Sequence, residues 1–155
     1  MATNERLADV LNDLIQINND RVIGYEKAAD EAKNVDVDLI ATFNKMADDS
    51  RRYAAELAKE VRNLGEQPTD GTTNSGKLYR VWMDVKNTFS NHDRHSILES
   101  CEFGEDAAQK AYEAALASDA EINADVRQLI TEQKSELKTA HDLVKKYRDA
   151  HDLVS

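Results

Sequence analysis

The one proline of this chain, Pro68, and three of its five glycines, Gly65, Gly71 and Gly76, all fall in the single stretch 65–76. Elsewhere almost nothing in the sequence obliges a helix to stop, so the spacing of apolar residues on either side can be read directly. Before the break, Leu7, Val10, Leu11, Leu14, Ile17, Val22, Tyr25, Ala28 and Ala32 recur at three- and four-residue steps, which predicts a helix over about 4–33. The capping side chains of Asn34–Asp38 then lead into Leu39, Phe43, Met46, Tyr53, Leu57 and Val61, a second helix over about 37–64 that ends at Gly65. Past the break, Leu78, Val81, Trp82, Val85 and Phe89 form a short amphipathic segment, about 77–89, closed by the polar run Ser90-Asn91-His92-Asp93. Ile97, Leu98, Cys101, Ala108, Tyr112 and Ala115 predict a third long helix over 94–117. Ser118 and Glu121 have capping-box spacing, and Val126, Ile130, Leu137, Ala140, Val144 and Tyr147 carry a fourth helix over 119–150.

Helices of this length are each on the order of 40 Å long, and their apolar stripes can be buried only by packing side by side. The reading is one all-α domain spanning 1–155, an up-down four-helix bundle. Two short connections make antiparallel hairpins, and the long middle connection is a crossover that carries the Trp82 segment. A composition of 41% hydrophobic and 32% charged residues suits such a bundle and not disorder. The net charge of -10, without a local basic cluster, argues against nucleic acid and anionic membrane surfaces as partners. One cysteine, Cys101, permits no internal disulfide and no thiolate cluster for zinc, so a reducing compartment is expected. The first residues have no secretory pattern and no run approaches the roughly 18 apolar residues of a membrane span, which makes a cytoplasmic protein the expectation.

Three segments carry more information than amphipathicity requires: Asn18-Asn-Asp-Arg-Val-Ile-Gly-Tyr-Glu-Lys-Ala-Ala, Cys101-Glu-Phe-Gly-Glu-Asp-Ala-Ala and Ala140-His-Asp. Together they resemble an uncharacterised family of small bacterial four-helix-bundle proteins within the ferritin-like superfamily. The resemblance covers most of the chain and implies a fold, a ferritin-like bundle; that family has no established activity to carry over. The wider superfamily includes oxidases and iron-storage proteins that hold two metals with a carboxylate from each of two helices and a Glu-x-x-His pair from each of the other two.

Aligning Tyr25 with the first-helix tyrosine of rubrerythrin-like proteins places Asn18 where a ligand Glu would stand, and the same offset from Tyr112 gives Glu105. On the second helix Ser50 and Tyr53 take the Glu and His places, and on the fourth the nearest match is Lys138 with His141. Of these positions only Glu105 and His141 carry side chains that ligate iron or manganese well. A di-metal centre with one carboxylate would leave most of four positive charges uncompensated in an apolar core. The carboxylates Glu26, Asp49, Glu102, Glu132 and Glu136 could rescue a centre in a shifted register, but one step off an apolar stripe they read as solvated flanks. Glu105 differs, because Cys101, Ala108 and Tyr112 put its stripe on the inside.

A buried Glu105 without metal needs donors. Asn18, Arg21, Tyr25, Ser50, Tyr53, Tyr112 and Gln133 can supply partners at about the same height, which predicts a polar layer through mid-bundle. Such a layer either fixes helix register or is a remnant that binds water or a small polar ligand. Other signals are weaker. Gly71-Thr-Thr-Asn-Ser-Gly-Lys77 lacks both the preceding strand and the following hydroxyl of a phosphate loop, since Leu78 follows the lysine. His92, Asp93 and His95 read as a solvated helix start, His141 as a helix-edge residue bonding a neighbour, and Cys101 as a small core residue. The expectation is a non-enzymatic protein without cofactor, stress-associated by analogy of fold, that meets an unknown protein partner or a second copy of itself. An iron or manganese carboxylate protein built on Glu105 and His141 is the alternative, and a scaffold docking through the Trp82 segment is a third.

Overall fold

The computed structural model describes residues 2–33, 36–71 and 94–154, with side chains placed for 4–33, 36–71 and 94–150. It contains helices α1 (Ala2–Ala32), α2 (Asp38–Asn63), α3 (Arg94–Ala117) and α4 (Ala124–Val154). The proposed helix at 77–89, with Trp82, and all but Gly71 of the phosphate-loop-like stretch lie outside the described residues, as do His92 and Asp93.

α2 starts where Asp36 Oδ1 accepts the Asp38 N–H at 3.1 Å, and it stops at Gly65, whose φ of 80° sits in the left-handed region that a side chain resists. There the Gly65 and Glu66 N–H groups turn back onto the carbonyls of Arg62 and Val61, at 2.9 and 3.2 Å, so the last turn keeps its acceptors satisfied. The fourth helix corrects the sequence reading. It starts at Ala124, not 119, because Asn123 Oδ1 accepts the Val126 N–H at 2.9 Å and caps it; Ser118 instead closes the end of α3. A local Ser-x-x-Glu spacing thus loses to Asn123 as the cap, with Ala120 buried in the connection between them.

Contacts fix the directions. Asn18 meets Tyr112 and Arg21 meets Glu105, so α1 and α3 run antiparallel; Tyr53 meets Gln133 and Arg52 meets Glu136, so α2 and α4 do too. The end of α2 lies beside the start of α1, where Asn4 Nδ2 donates to the Leu64 carbonyl at 3.4 Å. The start of α3 lies at the opposite end, where Arg94 Nε donates to Asp36 Oδ2 and Nη1 to the Tyr147 carbonyl, both at 2.9 Å. The end of α2 and the start of α3 therefore lie at opposite ends of the bundle, roughly 35–40 Å apart for helices of this size. The connection between them sets off along α1, where Asn12 binds Gln67 and Thr69, and Asn19 Nδ2 donates to the Gly71 carbonyl at 2.8 Å. None of the described helices is long and apolar enough to cross a membrane.

The core is in two parts. Leu7, Leu11, Leu14, Tyr53, Leu57, Val61, Ile130 and Leu137 belong to one apolar cluster, and Tyr25, Phe43, Met46, Ile97, Leu98, Cys101 and Val144 to the other. On α1, α2 and α3 the residues between the two clusters are polar: Asn18 and Arg21, Ser50, and Glu105.

Candidate functional site

Those polar residues form a hydrogen-bonded layer that reaches all four helices. Asn18, Arg21, Tyr25, Ser50, Tyr53, Glu105, Tyr112 and Gln133 are all buried, with Arg21 at 2% exposure and Glu105 at 0%. Arg21 lies at its centre. Its Nε donates to Glu105 Oε1, its Nη1 donates to Ser50 Oγ and the Met46 carbonyl, and its Nη2 faces Met46 Sδ at 3.9 Å. The Tyr25 hydroxyl donates to the same Glu105 oxygen at 3.0 Å, and the Tyr25 ring lies 5.0 Å from the guanidinium carbon, within cation–π range.

From Ser50 the chain of bonds continues outward. Ser50 Oγ donates to Asn18 Oδ1 at 3.0 Å, Asn18 Nδ2 donates to the Tyr112 hydroxyl at 2.9 Å, and Tyr112 donates to Gln133 Oε1 at 2.6 Å. Gln133 Nε2 ends it on the Tyr53 carbonyl at 3.2 Å and on Glu56 Oε1 at 3.0 Å, near the surface. Among the named residues Tyr53 contributes its backbone, while Arg52 covers its ring at 4.9 Å. Glu56 and Met46 were missed from sequence; nothing in their spacing marks them as partners of Gln133 and Arg21.

Burial on its own would lower the Arg21 pKa, but Glu105 alongside it holds the guanidinium's affinity for its proton above the ordinary value. Burial raises the phenols of Tyr25 and Tyr112, and with the carboxylates of Glu136 and Asp49 it pushes Tyr53 to about 12. A phenol whose value is raised in the fold contributes stability that is complete below the unfolded value of about 10 and is lost as pH climbs toward the folded value. Melting temperature is therefore expected to fall once pH exceeds about 10, and circular dichroism melts of wild type and Tyr112→Phe across pH 8–12 check this, the variant falling less steeply. Burial and Glu105 also push the Cys101 thiol up, which makes it an inert core residue.

The layer does not suit a pair of metal ions. Glu105 Oε1 is taken by Arg21 and Tyr25, Asn18 and Ser50 are neutral, and Arg21 already supplies the positive charge. Glu105 Oε2 is buried and accepts no hydrogen bond from the described residues. His141 does not join Glu105. Its Nε2 meets Asp106 Oδ1 at 2.7 Å on the outer side of α3, because one residue along a helix turns the side chain by about 100°. The shifted-register carboxylates Glu26, Asp49 and Glu136 are paired near the surface with Arg51, Lys45 and Arg52, and Glu132 accepts from Gln128. A cleft of about 260 Å³ between α2 and α4, lined by Met46, Asp49, Tyr53, Glu136, Ala140 and Leu143, approaches the layer from outside, with Met46 standing between it and Arg21.

The family model for the domain of unknown function DUF2383 matches residues 6–118, which hold α2, α3, all but the first residues of α1, and most of the polar layer. The chain belongs to the DUF2383 family. Gln133 and His141 of this DUF2383 protein lie on α4, beyond the matched span. Among solved structures, a mutant of Dps1 from Mycobacterium smegmatis is similar, with a TM-score of 0.82 over 95% of this chain and 97% of that one at 16% identity. At that identity the likeness establishes the fold, a ferritin-like helical bundle. No curated protein matches the DUF2383 chain.

Proposed function

We propose that this chain is a non-enzymatic ferritin-like bundle in which an arginine-centred polar layer replaces the di-metal centre of the oxidases and iron-storage proteins it resembles. The observation that carries the reading is the Arg21 guanidinium itself, buried against Glu105 in mid-bundle. Two divalent ions and a guanidinium would face one carboxylate there, a charge balance no apolar interior sustains.

The layer's work is to set register. Each helix contributes at least one bond to it, and a slip of one turn, about 5.4 Å, would break every bond made by the helix that moved. A bundle without a reacting centre acts through its outer faces, on a partner protein or a second copy of itself. The test is metal content after anaerobic ferrous or manganous loading and desalting, for wild type and Glu105→Gln. Whatever the wild type retains is expected to be the same in the variant. Two ions per chain that disappear with Glu105 would refute the reading.

A further inference from the structure

Outside the layer, α3 and α4 bring together three more side chains able to bind a metal. Glu102 and Asp106 are four residues apart on α3, which puts them on one face, and His141 meets them from α4. One ligand atom from each lies within 4.8 Å of the other two. His141 is held at both nitrogens, Nε2 at 2.7 Å from Asp106 Oδ1 and Nδ1 at 3.2 Å from Asp142 Oδ1. When Nδ1–H donates to Asp142, Nε2 turns a lone pair toward the Asp106 carboxylate. In the other tautomer Nε2–H donates to Asp106; in this one the Nε2 lone pair is available to a cation held jointly with the carboxylates.

We propose that Glu102, Asp106 and His141 form a divalent transition-metal site bridging α3 and α4. One imidazole nitrogen and two carboxylate oxygens suit manganese, ferrous iron, cobalt or zinc. Bond lengths near 2.0–2.1 Å in a tetrahedral site put ligand atoms roughly 3.3 Å apart, so the observed grouping needs only small side-chain movements to close. Asp142 orients the imidazole from behind, as carboxylates do for metal-bound histidines, and is itself held by Lys138 at 3.2 Å. Asp106 is 54% exposed, which leaves the remaining coordination positions open to water.

Arg148 is a competitor built into the site. Its Nη1 pairs with Glu102, while its Nη2 bonds Asp149 Oδ1 at 2.9 Å, so the guanidinium keeps a carboxylate when Glu102 turns to a metal. The site is separate from the interior layer and does not depend on the function proposed above.

Calorimetric titration of the full chain with zinc, repeated with cobalt for its visible spectrum, tests the site. The expected result is one ion per chain, bound at least tenfold more weakly by His141→Ala and by Asp106→Asn, more tightly by Arg148→Gln, and equally by Glu105→Gln. Circular dichroism on each variant separates loss of binding from loss of fold, and Asp106→Asn, at an exposed position, keeps the test decisive if His141→Ala unfolds. No binding by either wild type or Arg148→Gln overturns this inference and leaves the interior reading in place. Binding that survives His141→Ala and Asp106→Asn but is lost in Glu105→Gln overturns both.

Discussion

Arg21→Met is expected to destabilise the protein by about 3–5 kcal/mol, the cost of leaving a buried charge without its partner. Glu105 would keep only the Tyr25 hydroxyl as donor, with its second oxygen already lacking one, and Ser50 would lose its donor. Glu105→Leu should cost a similar amount, because it strands the guanidinium instead. The pair Arg21→Met with Glu105→Leu removes both charges and fills the space with apolar atoms, so most of the loss should be recovered, and stability could exceed wild type by about 1–4 kcal/mol. Urea unfolding followed by circular dichroism gives all four values. A double variant no more stable than either single one would mean that the neutral remainder, Ser50, Asn18 and Tyr112, depends on the guanidinium itself. The ion pair would then hold the layer together and not merely cross it.

Phe43→Ala and Leu57→Ala are expected to cost about 3–5 and 2–5 kcal/mol respectively, since both side chains are fully buried and the surrounding helices close the resulting holes only in part. Their sum matters more than either value. Phe43 belongs to one apolar cluster and Leu57 to the other, with the polar layer between them. Residues that share no partners add to within about 0.5 kcal/mol, so the double variant should lose the full sum and sit close to unfolding. An interaction energy well above that margin, read from the same urea curves, would show that the layer transmits strain between the clusters and does not separate them.

Much of this fold could be read from the chain because its helices are long, strongly periodic and interrupted at one place. Gly65 ends α2 by its backbone conformation, a property of the residue type that sequence displays directly. The start of α4 differs from the sequence expectation because Ser118 and Asn123 both offer a capping side chain, and it is Asn123 that accepts the Val126 N–H. Asn18, Arg21, Ser50, Glu105 and Gln133 were legible as polar residues set among apolar stripes, and Tyr25, Tyr53 and Tyr112 as members of those stripes with a hydroxyl to place. Their pairing was not: nothing in the spacing says that Arg21 would choose Glu105, or that Gln133 would reach across to Glu56. His141 shows the same limit. Ligand spacing sets it against Glu105, and a difference of one residue along α3 puts Asp106 before it instead.

The Asn18-Asn-Asp-Arg segment illustrates why that stretch is unusual for an amphipathic helix. Asn18 and Arg21 point into the layer, Asp20 is also buried, and Asn19 faces outward to hold Gly71 as the crossover begins. One turn of α1 thus serves both the interior and the path of the long connection.

The most direct test of the central claim is anomalous diffraction at the iron edge from crystals of the protein grown after ferrous loading. No anomalous peak is expected within bonding distance of Glu105, and clear density is expected for the Arg21 guanidinium against that carboxylate. A peak bonded to Glu105, with Arg21 displaced from it, would contradict the account and make this bundle a metal protein with an unusual ligand set.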